Sequence, residues 1–92
     1  MANTLSAEKR ARQAVKRAER NRWYRTRART FVKRARLNMN QGNLDEAADA
    51  VRRACQALDV ASQKGAIHRN NASRRKSRLV RALQRSRASA DA

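Results

Sequence analysis

Apolar side chains fall into three runs along the chain, each repeating at helical spacing. Tyr24, Ala28, Phe31, Val32, Ala35 and Met39 form the first stripe. Leu44, Ala47, Ala48, Val51, Ala54, Cys55, Leu58 and Ala61 form the second, and Ala72, Leu79, Val80 and Leu83 the third. Proline is absent, and the only glycines, Gly42 and Gly65, stand between the runs, where each can take the left-handed turn conformation that ends a helix. The pattern predicts an all-α fold with helices over about residues 6–41, 44–63 and 68–86 and a polar tail, 87–92, that frays. Ser6 is the expected cap of the first helix. Asn43 with Glu46 reads as a reciprocal capping pair for the second, with Asp45 and Glu46 at the positive end of its dipole. The start of the third helix falls between Ala66 and Ala72.

Helix lengths set the expected assembly. At 1.5 Å per residue the first helix is a rod of roughly 50 Å, about twice the length of either successor. Short turns make neighbours pack, giving an antiparallel three-helix bundle built on the carboxyl half of helix one. Its amino half offers only Ala7, Ala11, Ala14, Val15 and Ala18 at core spacing and is expected to project as an arm. The second helix turns Asp45, Asp49, Arg52, Arg53, Gln56 and Asp59 towards solvent.

Charge then assigns roles to these helices. Lys and Arg number 24 against 7 Asp and Glu in 92 residues, a net charge of +17. An extended polyanion is the natural partner. Residues 1–40 carry 13 basic and 2 acidic side chains, residues 41–63 carry 2 and 4, and residues 64–92 carry 9 and 1. The outer helices therefore face the anion and the middle one does not. Arg outnumbers Lys 19 to 5, which favours bidentate phosphate contacts and stacking over a merely solubilising coat. Of the 37 hydrophobic residues 19 are alanine, so the single domain buries a thin core and is expected to be weakly stable without its partner.

The basic positions of helix one are Lys9, Arg10, Arg12, Lys16, Arg17, Arg20, Arg22, Arg25, Arg27, Arg29, Lys33, Arg34 and Arg36. They occupy most of its circumference, and packed RNA offers phosphates on several sides at once. On helix three, Arg74, Arg78, Arg81 and Arg85 fall opposite the apolar stripe. Trp23 lies away from the helix-one stripe, among Arg20, Arg27 and Lys16, where it either stacks on an exposed base or sugar, or packs against another protein or lies on arginine stems. His68, with Arg69, Asn70 and Asn71, either contacts phosphate and ribose hydroxyls or caps the third helix. Tyr24 and Phe31 read as core, and Cys55 as a small buried hydrophobe.

Several classes are disfavoured. There is no Gly-rich phosphate loop, serine elbow or pair of catalytic carboxylates, so no enzyme and no cofactor is expected. One Cys and one His make no zinc pattern and fit a reducing compartment. No apolar stretch approaches the roughly 20 residues that span a bilayer, which leaves the cytoplasm as the expected location. A basic DNA-associated architectural protein is the alternative, against which stands the lack of a groove-reading motif or a dimer seam; no homo-oligomer is expected. A membrane-surface helix would need bulky apolar residues that the charged half of helix one lacks.

Two stretches carry a specific likeness. Ser6-Ala7-Glu8-Lys9-Arg10, continuing to Asn21 and then Arg29-Thr30-Phe31-Val32-Lys33, resembles the amino-terminal pattern of the bacterial small-subunit ribosomal protein family numbered twenty. The run Lys64-Gly65-Ala66-Ile67-His68-Arg69-Asn70-Asn71-Ala72, continuing to Leu79, is similar to that family's Lys-Gly-x-Ile-His-Lys-Asn-x-Ala. The match is co-linear over almost the whole chain. It implies a three-helix protein that docks directly on 16S ribosomal RNA during subunit assembly, with other small-subunit proteins as possible neighbours. Arg69 replaces the usual Lys, and Trp23-Tyr24 occupies a stretch that is usually less aromatic. The candidate RNA-binding residues are Lys9, Arg10, Arg12, Lys16, Arg17, Arg20, Arg22, Arg25, Arg27, Arg29 and Lys33 on helix one, and His68, Arg69, Asn70, Arg74, Arg75, Arg78 and Arg81 at and beyond the second turn. Ser6, Asn21, Thr30 and Lys64 join them from the two motif stretches.

Overall fold

A computed structural model describes residues 2–91, and they form three helices: α1 (Ala2–Asn40), α2 (Leu44–Gln63) and α3 (Arg69–Asp91). Short turns fold α2 back along α1 and α3 back along α2, so α1 and α3 run parallel. α2 packs against both, whereas α1 and α3 scarcely touch. The molecule measures 71 × 21 × 13 Å, an elongated bundle with one long overhang.

Both glycines close turns, as their positions suggested. Gly42 has φ +78° and Gly65 φ +75°. At the first turn the amide of Gly42 donates to the Met39 carbonyl at 3.2 Å and that of Asn43 to Asn38 at 3.0 Å. At the second, Gly65 donates to Ser62 at 3.0 Å and Ala66 to Ala61 at 2.9 Å. These are paired Schellman closures, which satisfy the last carbonyls of each helix. A Cβ at either glycine would meet nothing within 4 Å, so the requirement is the positive φ alone.

The first Schellman turn explains why the expected capping pair does not form. A reciprocal box needs the Asn43 amide for the Glu46 carboxylate, but that amide is already held by Asn38. Asn43 makes no side-chain cap, and its Nδ2 donates instead to Gln41 Oε1 at 3.4 Å. Nor is Ser6 a cap. Nothing before it breaks a helix, and α1 already runs from Ala2. α3 likewise continues through the polar tail to Asp91, while residue 92 lies outside the described residues.

The core is small. Ala28 and Ala35 of α1, Ala47, Ala50, Val51, Ala54, Ala57 and Leu58 of α2, and Ala72, Leu79 and Leu83 of α3 are buried, with Phe31, Val32, Met39, Cys55 and Ile67 packed at its edge. Among the described residues only Leu58 and Leu79 are large side chains with essentially no exposed surface. Alanine at the contacts lets the helix axes approach closely. α2 is buried on two sides, so Ala50 and Ala57 join the stripe read from sequence. Val80 does not belong to the core: it is 40% exposed, because α3 has a neighbour on one side only and buries a narrow stripe.

An ion pair between a half-buried lysine and an exposed aspartate ties α3 to α2. Lys76 Nζ lies 2.7 Å from Asp59 Oδ1, and this hydrogen bond raises the lysine pKa above its ordinary value. Burial pushes the Cys55 thiol pKa up, with nearby Lys76 opposing and Asp59 adding to the effect, which keeps it a protonated thiol in the packed face. On the outer side of α2, Asp49 pairs with Arg52 at 3.6 Å and with Arg53 at 3.2 Å. The middle helix thus neutralises its own cations.

Candidate nucleic-acid interface

Every side chain described from Thr4 to Arg20 is exposed, and Asn21 is the first in α1 to be partly covered. The arm therefore ends at Arg20. There the guanidinium Nη2 donates to the Lys64 carbonyl at 3.2 Å, satisfying an acceptor at the carboxyl cap of α2. Arg20 fastens the base of the arm to the second turn. Its selection as a phosphate ligand from charge alone missed this internal role, because a turn carbonyl has no sequence signature. Ser6, Lys9, Arg10, Arg12, Lys16 and Arg17 all stand free on the arm. With about 25 Å of overhang, they offer cations around a rod that no part of the bundle shields.

Below the arm, helical register sorts the α1 cations into two flanks. Arg22, Arg29 and Arg36 repeat every seven residues, with Arg25 and Lys33 beside them, and all are exposed. Arg36, Met39 and Asn40 line an open groove with Ala82, Arg85, Ser86 and Ser89 of α3, which identifies the side on which this row lies. On α3, Arg85 and Arg78 are again seven residues apart, with Arg74, Arg75 and Arg81 exposed nearby. Two parallel helices thus carry matching arginine rows along a shallow groove, in steps of about 10 Å. Like charges face each other there with no counter-ion among the described residues; the acidic residues of the described ion pairs, Asp49 and Asp59, both belong to α2. Arg36 and Arg85 were not among the selected candidates. Their pairing depends on the parallel packing of α1 and α3, which periodicity within one helix does not reveal.

The remaining candidates divide. His68 is the amino-terminal cap of α3: its Nδ1 accepts the backbone N–H of Asn70 at 3.1 Å, while its carbonyl accepts the amide of Ala72 at 3.1 Å. An accepting Nδ1 places the ring proton on Nε2, which remains a donor to an outside group. Arg69, Asn70 and Lys64 are exposed around this turn. The Thr30 hydroxyl donates to the Thr26 carbonyl at 2.9 Å. Asn21 is turned inward rather than outward. Its Oδ1 and that of Asn71 are buried without a hydrogen-bond partner among the described residues.

Arg27 is engaged by aromatic rings. Its guanidinium carbon lies 6.0 Å from the Trp23 ring centroid and 5.4 Å from that of Phe31, on the flank away from the groove. Among the described residues no three His, Cys, Asp or Glu side chains are grouped to hold a metal ion. No described helix is long and apolar enough to cross a membrane.

Comparison with known proteins places this geometry in a family. The profile of ribosomal protein S20 matches residues 2–84, covering the arm, the bundle and most of α3. The small ribosomal subunit protein bS20 of Thermomicrobium roseum is 51% identical over 81 residues, 88% of this chain and 82% of that protein. The corresponding protein of an Anaeromyxobacter species is 52% identical over 82 residues, covering 89% and 91% of the two chains. That of Bordetella pertussis is 42% identical over 84 residues, covering 91% and 97%. The chain belongs to the ribosomal protein S20 family.

Proposed function

We propose that this protein is a structural, non-enzymatic constituent of the small ribosomal subunit in the cytoplasm, and that it docks directly on 16S ribosomal RNA and stabilises its packing during assembly. Family membership supports the ribosomal role and favours it over a DNA-associated architectural protein. The observation that carries direct RNA docking is the placement of cations for which the described residues supply no acidic partner. The arm and the two arginine rows of the α1–α3 groove stand exposed, whereas the arginines of α2 are paired with Asp49.

The mechanism is electrostatic docking followed by ordering. Phosphates entering the groove relieve the repulsion between its walls, and each neutralised phosphate releases condensed counter-ions. The arm, charged around its circumference, suits a junction where several RNA backbones converge. Guanidinium forks supply bidentate contacts at both places. Neighbouring small-subunit proteins then meet what RNA leaves uncovered, including the mixed-charge outer side of α2.

Salt dependence tests this reading. The full chain is titrated with protein-free 16S ribosomal RNA at several salt concentrations. The logarithm of the association constant is expected to fall with that of salt by about 0.7 to 0.9 per phosphate neutralised, giving a total slope steeper than about −4. A nearly flat dependence would overturn it.

A further inference from the structure

Trp23 is the only tryptophan in the chain, and it sits in α1 with 59% of its surface exposed. It takes no part in the core. The stripe facing α2 runs through Tyr24, Ala28, Phe31 and Ala35, and Trp23 lies well to one side of it, on the flank opposite the Arg22, Arg29 and Arg36 row. What sets Trp23 apart from the exposed Leu5, Val15 and Leu37 is a large aromatic surface with a polar N–H, the kind of side chain that is enriched at interfaces.

The ring is held rather than loose. Tyr24 meets it edge to face, with centroids 4.9 Å apart and planes at 83°. Arg27 lies over it at 6.0 Å and reaches Phe31 at 5.4 Å, and Arg34 lies over Phe31 at 5.5 Å. Aromatic and guanidinium groups thus alternate along this flank in the order Trp23, Arg27, Phe31, Arg34. Lys16 and Arg20 continue the same flank towards the arm by register. A fixed indole loses little conformational freedom on binding. The surrounding cations select an anionic partner over an apolar protein surface, which would have to strip water from them.

We propose that Trp23 is a stacking platform for an unpaired nucleobase, with the neighbouring guanidinium groups holding the phosphates on either side of that base. Any of the four bases presents a suitable π-face, so the site reads an extruded or single-stranded nucleotide rather than a sequence. This places a second RNA segment on the flank of α1 away from the groove, and it rests on the RNA-binding reading above.

Because Trp23 is the sole tryptophan, its emission reports on the site directly. The full chain is titrated with protein-free 16S ribosomal RNA while binding is followed in parallel by filter retention. Saturation is expected to quench the tryptophan emission by more than half and to shield the ring from acrylamide. Trp23→Ala and Trp23→Leu should each bind on the order of tenfold more weakly, and Trp23→Phe nearly as well as the native chain. All three should keep the native salt slope, since no phosphate contact is removed, and the native circular dichroism. RNA binding with unchanged emission, or equal affinity of the leucine and phenylalanine variants, would overturn the platform and leave the RNA reading standing. Shielding that develops only when other small-subunit proteins are added would assign the ring to a protein contact instead. Absence of any RNA binding would overturn both.

Discussion

Leu58→Ala is expected to abolish the free bundle. Leu58 lies in the middle of α2 with 0% exposure, and among the described residues it and Leu79 are the only large side chains closed off from solvent. Removing it loses transfer free energy and leaves a cavity that rigid helix backbones fill poorly, at a cost of about 3 to 5 kcal/mol. A small domain of this length holds only about 5 kcal/mol or somewhat more in total, and self-repulsion at +17 works against it. Urea titration followed by circular dichroism should show no cooperative transition for this variant. Leu37→Ala, at a site 55% exposed, should shift the native midpoint only slightly. Equal effects at the two sites would mean that the core is not where the packing puts it. Protein-free 16S RNA should restore helical signal to Leu58→Ala, because a ligand that binds only the folded chain stabilises it.

Deleting residues 2–20 should have the opposite profile. The side chains described in this segment are all exposed, and among them Arg20 alone hydrogen-bonds to the bundle, at the Lys64 carbonyl. Unfolding free energy should therefore change by only about 1 kcal/mol. Affinity for the RNA should fall by about two orders of magnitude at physiological salt, since Lys9, Arg10, Arg12, Lys16, Arg17 and Arg20 leave together. A parallel fall in stability and affinity would show that the arm belongs to the core.

These two contrasts follow a division that was visible in the chain itself. Amino-terminal to Tyr24 the positions at core spacing hold alanine and a single valine, Val15, while arginine continues, and that is why the arm and the bundle could be told apart from sequence. The glycines were equally legible, because Gly42 and Gly65 are the only glycines in the chain and each adopts the positive φ that its turn uses. What escaped was settled by competition for backbone groups or by neighbours distant in sequence. Asn43 could not form its capping box because Asn38 had already taken its amide. His68, not a usual cap residue, caps α3 through Nδ1. Val80 sat at a plausible core position but has no helix beyond it.

The site shows the same limit. Charge alone selected arginines on α1 and α3, but it could not separate Arg20, used within the fold, from Arg36 and Arg85, which share a groove only because the two helices run parallel. Trp23 was open to two readings for the same reason, since its surroundings of Tyr24 and Arg27 emerge only from side-chain packing.

If unpartnered arginines of the groove neutralise RNA phosphates, two sets of substitutions in the full chain should differ in salt slope. One variant carries Arg29→Gln, Arg36→Gln and Arg78→Gln in the groove; the other carries Arg52→Gln and Arg53→Gln on the outer side of α2. With protein-free 16S ribosomal RNA, the groove variant should lose about 2 to 3 from the magnitude of the log–log slope, as expected when three phosphates are no longer neutralised, and the α2 variant should keep the native slope. Equal slopes in all three proteins would show that the groove arginines do not meet phosphate.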